Sequence, residues 1–265
     1  HNTGGMIHRG PASSEDNFSP ADVRVYDAIA TKGERMLPAY DYLVCASGLY
    51  PVYGGEFDWF FGMRGIYSFS NELFTSQNYF REKLEDRREG VQDFNKLLLL
   101  GQGTVDWHEV DHPQYGRIEV GGMRKEWGRQ PPSFLLEEEC HRNMAFTLYH
   151  AQQMPQVAIQ SVQVKPLGGK LVEVTASIIN QKLIPTHAEV DVQNKITPPD
   201  IASISGRGLK VIAALRSDEP FFKDAVEQEH QPAAIRIPNI YGMGAVHVRW
   251  LVEGAAPYTI KLRSV

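Results

Sequence analysis

The stretch Leu49–Phe74, LYPVYGGEFDWFFGMRGIYSFSNELF, decides how the rest of the chain is read. Its second half, Gly65-Ile66-Tyr67-Ser68-Phe69-Ser70-Asn71-Glu72-Leu73, alternates β-branched and aromatic residues with small polar ones, which predicts a buried strand. That strand closes on a carboxylate, Glu72. Burying an ionised carboxyl is costly unless it has a partner or a task, so Glu72 is the first candidate functional residue.

Upstream, Ser19-Pro20-Ala21-Asp22 reads as a helix start, with Ser19 as N-cap, Pro20 at the first helical position and Asp22 facing the N-terminal dipole. Val23, Tyr26, Ile29 and Ala30 form its apolar stripe, and Pro38 ends it. Tyr40 to Cys45 suits a short strand and Ala46 to Asp58 a loop with a Gly54-Gly55 turn. Downstream, a helical pattern runs from Asn78 to about Leu100 and a strand is predicted at Arg117 to Val120. A second helix spans Ser133 to Gln152, its face of Phe134, Cys140, Met144, Leu148 and Ala151 predicted to meet a core.

Beyond Pro155 the character changes. Alternating runs at Val157–Val164, Leu171–Ile179, Ala188–Val192, Leu209–Leu215, Ala234–Ile237, Ala245–Val252 and Tyr258–Leu262 are separated by Gly and Pro turns, with no helix evident. About seven strands over this length predict an immunoglobulin-like β-sandwich. Trp250, with Tyr258 and Ile260, is expected in its core. The division is therefore residues 1–154, α/β, and residues 155–265, all-β.

A net charge of −5 gives no basic footprint, which argues against a nucleic-acid partner. Cys45 and Cys140 are too few for a disulfide framework and are expected as buried free thiols. No apolar run reaches the ~18 residues of a membrane span. The chain opens on His1-Asn2-Thr3-Gly4-Gly5, without Met or leader, and reads as a fragment whose beginning lies upstream.

His108-Glu109-Val110-Asp111-His112 matches the HExxH of zinc proteases. That chemistry needs both His on one helical face. Pro113 and the helix-poor Gly103-Thr104-Val105 disfavour a helix here, and the segment is expected to be a surface loop.

A more extensive resemblance starts from the opening stretch. Tyr50-Pro51-Val52-Tyr53-Gly54-Gly55-Glu56-Phe57-Asp58-Trp59 followed by Tyr67-Ser68-Phe69-Ser70-Asn71-Glu72-Leu73 resembles the C-terminal half of zinc carboxypeptidases of the carboxypeptidase A type. In that family a Tyr, a Gly-Gly turn and an Asp-Trp pair precede a strand ending in Glu-Leu. His1-Asn2-Thr3-Gly4-Gly5-Met6-Ile7 resembles the segment carrying the third zinc ligand, and Phe134 to Asn143 resembles the closing helix of the bacterial multidomain branch.

The resemblance implies the C-terminal part of a mixed-sheet α/β catalytic domain, one zinc ion with His1 among its ligands, and Glu72 as general base. It also implies substrate contacts from Asn2, from a mobile Tyr50 near the substrate's terminal carboxylate, and from Phe57 at the base of the side-chain pocket. Phe57 suggests an apolar or aromatic C-terminal residue, and Asp58 is expected to hold the turn. The implied activity is removal of C-terminal amino acids from peptides or proteins, in a periplasmic or secreted setting. The family's His-x-x-Glu zinc motif and substrate-binding Arg residues lie upstream of His1, so this chain alone is expected to be inactive and to bind zinc weakly. The alternative is a catalytically inactive, peptidase-like binding or structural protein.

Overall fold

A computed structural model describes residues 4–13, 18–80 and 87–264. In chain order its first elements are β1 (Met6–Arg9), α1 (Pro20–Met36), β2 (Asp41–Val44), β3 (Ser70–Glu72), α2 (Arg87–Leu97), β4 (Thr104–His112), β5 (Gly116–Met123) and α3 (Ser133–Gln152). They are followed by β6 (Val157–Gly168), β7 (Leu171–Asn180), α4 (Glu189–Asn194), β8 (Asp200–Gly206), β9 (Lys210–Ser217), β10 (Val226–Glu227), β11 (Ala234–Ile237), β12 (Ala245–Glu253) and β13 (Tyr258–Arg263). The fold is mixed α/β, with its strands in several sheets and no closed barrel among the described residues. No helix of the described residues is long and apolar enough to cross a membrane.

The chain divides into two compact units. The first contains the described residues of His1–Asp16, Ile29–Tyr53 and Ser68–Tyr149; the second contains those of Asn17–Ala28, Gly54–Tyr67 and His150–Val265.

In the first unit β1 lies at the centre of a three-stranded sheet, parallel to β2 and antiparallel to β3. A Cβ on Gly33 of α1 would lie 2.8 Å from the Ile7 side chain and 2.6 Å from the Phe146 ring, so α1, α3 and the Ile7 face of the sheet meet there. The strand predicted over Gly65–Leu73 is only Ser70–Glu72. Its partner explains the length: β1 offers four residues, Met6–Arg9, and its register with β3 ends at His8–Ser70.

The HExxH segment is a strand rather than a loop. β4 pairs with β5 in a two-stranded hairpin, which places His108 opposite Val120 and His112 opposite Gly116. Four residues along a strand separate the two His by roughly 13 Å, too far to ligate one ion.

α3 has the predicted bounds but the opposite orientation. Phe134, Met144 and Leu148 are exposed, as is Cys140, while Phe146 is buried with Leu135, Glu139 and Asn143 partly covered. The helix is apolar on more than one side, and its hydrogen-bonding residues, not its longest apolar row, select the inward face. Cys45 is buried, as expected.

In the second unit, strands ordered β10-β9-β12-β7-β6 and β11-β8-β13 form two sheets whose apolar residues share one core, including Val174, Ile178, Ala202, Ile235, Val248 and Trp250. Trp250 is fully buried and its indole N–H donates to Pro232 O at 3.0 Å. Ala188–Val192, predicted as a strand, belongs to the turn of helix α4: Asp191 accepts from residues after the helix, which requires the chain to bend back. β8 was not predicted because Asp200-Ile201-Ala202-Ser203-Ile204-Ser205 alternates with side chains too small and polar to register as an apolar run.

Candidate active site

Glu72 is the last residue of β3 and is half-buried. Met6 pairs with Glu72 and His8 with Ser70. Paired residues share a face and neighbours alternate, so Met6, His8, Ser70 and Glu72 lie on one face of the sheet and Ile7 and Asn71 on the other. His8 is buried, and its Nε2 has no hydrogen-bond partner among the described residues. Burial pushes the His8 imidazole below its usual range, partly offset by the Glu72 charge.

The chain leaves β3 against Gly4 and Gly5. Gly4 N–H donates to Phe74 O at 2.9 Å, and a Cβ on Gly4 would fall 2.7 Å from Glu72 Cβ. Gly5 has φ +61 and would bring a Cβ to 2.4 Å from Thr75 Cγ2. Both glycines are required by close approach, and Gly5 also by its left-handed backbone.

A polar network grips the backbone on either side of Glu72. Asn71 Nδ2 donates to Asn143 Oδ1 at 2.8 Å, and Asn143 Nδ2 donates to the Tyr40 phenol at 3.0 Å. Phe74 N–H is shared between Tyr40 Oη at 2.9 Å and Glu139 Oε1 at 3.0 Å, and the Tyr40 hydroxyl donates to Glu139. Burial raises the Tyr40 phenol well above its usual value and the Glu139 bond adds to this, so Tyr40 stays a donor. Phe74 and Thr75 line two cavities of about 300 Å³ each. One also holds Tyr40, Glu138, Glu139 and Arg142; the other holds Gly4, Val91, Met123 and Trp127.

The remaining sequence candidates fall as follows. Tyr50 is 60% exposed and follows a π-helical turn, Cys45–Leu49, with its N–H on Cys45 O at 3.1 Å. Phe57 belongs to the second unit and is 7% exposed, while Glu56 points to solvent, so Phe57 is the inward side chain of that pair. Asp58 accepts the Gly55 N–H at 3.3 Å and holds the turn. His1 and Asn2 lie outside the described residues. Tyr40, Glu139, Asn143 and His8 were not singled out from the sequence. No local signal set Glu139 and Asn143 apart, since α3 carries other polar i, i+4 pairs such as Glu138 and Arg142.

Residues 156–265 match the model of a family described as a domain of unknown function, DUF8731. No curated protein and no solved structure matches the chain.

Proposed function

We propose that this chain is the C-terminal part of a zinc metallocarboxypeptidase of the carboxypeptidase A type, a periplasmic or secreted enzyme that releases C-terminal amino acids from peptides, followed by an immunoglobulin-like sandwich. The observation that carries the reading is the seating of Gly4 against Glu72. Gly4-Gly5, the described end of the opening motif, and the Glu-bearing strand are far apart in sequence yet lie against each other, which supports the reading. The exposed apolar row of α3 agrees with it, since a half-domain leaves such a face for its other half to cover.

Among the described residues no three His, Cys, Asp or Glu side chains come together to hold a metal ion. The described residues do not by themselves make up a zinc site. What they supply is a base and its support. In this reading the Glu72 carboxylate takes a proton from the water that attacks the scissile carbonyl and passes it to the departing amine. The bonds at Asn71 and Phe74 hold it in place, and the exposed Tyr50 swings onto the substrate near its terminal carboxylate.

The test is a longer chain that includes the sequence upstream of His1, assayed with a peptide ending in Phe. Release of free Phe is expected, with kcat reduced about 10²–10⁴-fold by Glu72→Gln while zinc content is unchanged. Full activity in Glu72→Gln would remove Glu72 from the mechanism. No release from a chain that retains zinc would favour a binding protein instead.

A further inference from the structure

The segment from His187 to Asp200 concentrates buried ionisable groups. His187 and Asp191 are nearly inaccessible and Asp200 is wholly so. His187 Nδ1 lies 2.9 Å from Asp191 Oδ2, and Nε2 lies 3.4 Å from Asp200 Oδ1. The second contact is the longer of the two and sets Asp200 against the other ring nitrogen. Thr197 completes the turn, donating its N–H to Asp191 Oδ1 at 2.8 Å and its hydroxyl to Oδ2 at 2.6 Å. The ring thus lies between two carboxylates and, when protonated, fastens α4 to the first residue of β8.

α4 also meets residues 54–67 of the same unit, through Asp191 itself. Gly65 has φ +67, and a Cβ there would fall 2.8 Å from Asp191 Cβ. Its N–H caps the π-helical turn Asp58–Met63 by donating to Phe61 O at 2.9 Å. At the start of α4, Glu189 N–H donates to Asp22 Oδ1 at 2.9 Å, and that oxygen also accepts the Tyr67 hydroxyl at 2.5 Å. Tyr67 packs in turn on Tyr26 and Phe61.

We infer that α4 is a clamp: the His187 bridge to Asp191 and Asp200 holds the helix where it fixes residues 54–67 at two points, Gly65 directly and Tyr67 through Asp22. The region matched by the family of unknown function thereby acquires a task, which is to keep the turn beginning at Phe57 in one conformation. The clamp itself does not depend on the peptidase reading; only the importance of Phe57 rests on it.

The bridge is conditional on a proton. His187 faces Asp191 from α4 and Asp200 from β8; its other polar neighbours, Thr197 and the Asn239 oxygen that accepts its N–H, carry no charge. Asp22 from α1, Glu189 from α4 and Tyr67 occupy the far end of the clamp. Asp200 raises His187 above the usual 6.5, against burial, and Asp191 adds to this. A raised folded value means the stabilisation is complete below 6.5 and is lost as pH rises through the folded value.

The experiment is hydrogen exchange on the 265-residue chain, comparing amides of residues 54–67 with those of β7 and β12 as pH is raised from about 6 to about 9, corrected for intrinsic rates. In wild type, protection of 54–67 falls at least about tenfold relative to β12. In His187→Asn it is low at every pH. Gly65→Ala, which leaves the titrating group intact, lowers protection of 54–67 while the strands keep theirs. Native protection of 54–67 in both variants overturns the clamp, as does loss of protection in β12 in step with 54–67 on raising pH. If His187→Asn unfolds the whole chain, Gly65→Ala decides alone. None of these readouts needs peptidase activity, so failure of that assignment leaves the result standing.

Discussion

Asn71 and Asn143 are joined side chain to side chain at 2.8 Å, which ties the residue before Glu72 to the middle of α3. Asn143 is also bonded to Tyr40, and Tyr40 to the backbone of Phe74, so both flanks of Glu72 are held from one helix. A partly buried amide with several partners contributes about 1–2 kcal/mol, and leaving its partners unsatisfied costs about as much. Asn143→Ala is therefore expected to lower the unfolding free energy by about 1–2 kcal/mol in urea denaturation. The Asn71→Ala/Asn143→Ala cycle should return a coupling of about 0.5–1.5 kcal/mol. Additive effects would show that the bond carries no weight.

His8 should make the chain acid-sensitive. Its imidazole is depressed by burial, so the folded state resists the charge that the unfolded chain accepts. The sign is that stability is present above the usual 6.5 and is lost as pH falls below it towards the folded value. His8→Leu removes the titration together with an unpartnered buried nitrogen, a replacement that is near neutral or stabilising at neutral pH. Chemical denaturation at about pH 7.5 and about pH 5 should show the variant gaining on wild type at the lower pH. His150 and His247, also depressed by burial, keep the rest of the acid limb. An unchanged difference between the two pH values would mean that His8 is not neutral in the folded chain.

Gly5→Ala tests the packing of the first described residues on β3. A side chain there meets a left-handed backbone, worth about 1–2 kcal/mol, and a Thr75 methyl 2.4 Å away. The expected loss is above about 2 kcal/mol. Thr75→Ser, which removes that methyl, should recover part of it. No recovery would place the cost in the backbone alone.

How far the sequence disclosed this arrangement depended on what each signal measures. Ser19 as N-cap was legible because capping is local: its Oγ accepts the Asp22 N–H at 3.1 Å. Strand alternation in β7, β9, β11, β12 and β13 was legible because one face of each meets the core. The face of α3 was not, since Phe134, Met144 and Leu148 make a better apolar row than Leu135, Glu139, Asn143 and Phe146. The choice is made by bonds to Tyr40, Asn71 and Phe74, residues distant in sequence. Asp191 and Asp200 were passed over for the same reason: their partner, His187, becomes meaningful only once the turn through Thr197 brings the three together. At the candidate site, Glu72 announced itself as a carboxylate closing an apolar run, whereas His8 follows a segment read for His1 and Asn2, with nothing local to mark it.

The exposed row on α3 has a consequence for handling the isolated chain. Phe134, Met144 and Leu148 recur at helical spacing and stand open to solvent. Apolar rows of this kind mediate association. Leu148→Glu with Phe134→Ser should reduce binding of a hydrophobic dye and any self-association seen by gel filtration, with the unfolding midpoint changed little because neither side chain is buried. A marked loss of stability would mean that the row already has a partner within the chain.

The HExxH segment yields the last expectation. On a helix, His108 and His112 would present both rings to one ion; on β4 they face the same side roughly 13 Å apart. His108 Nδ1 sits 2.9 Å from Asp106 O, and His112 Nδ1 accepts the Gln114 N–H at 3.1 Å, so each ring serves its own turn. Glu109, which would activate water in a zinc protease, is instead paired with Arg117 across the hairpin. Zinc titration by calorimetry should therefore give the same weak isotherm for wild type and for His108→Ala/His112→Ala. A tight site present in wild type and lost in the double variant would mean that the hairpin rearranges around metal, and would return this segment to the list of catalytic candidates.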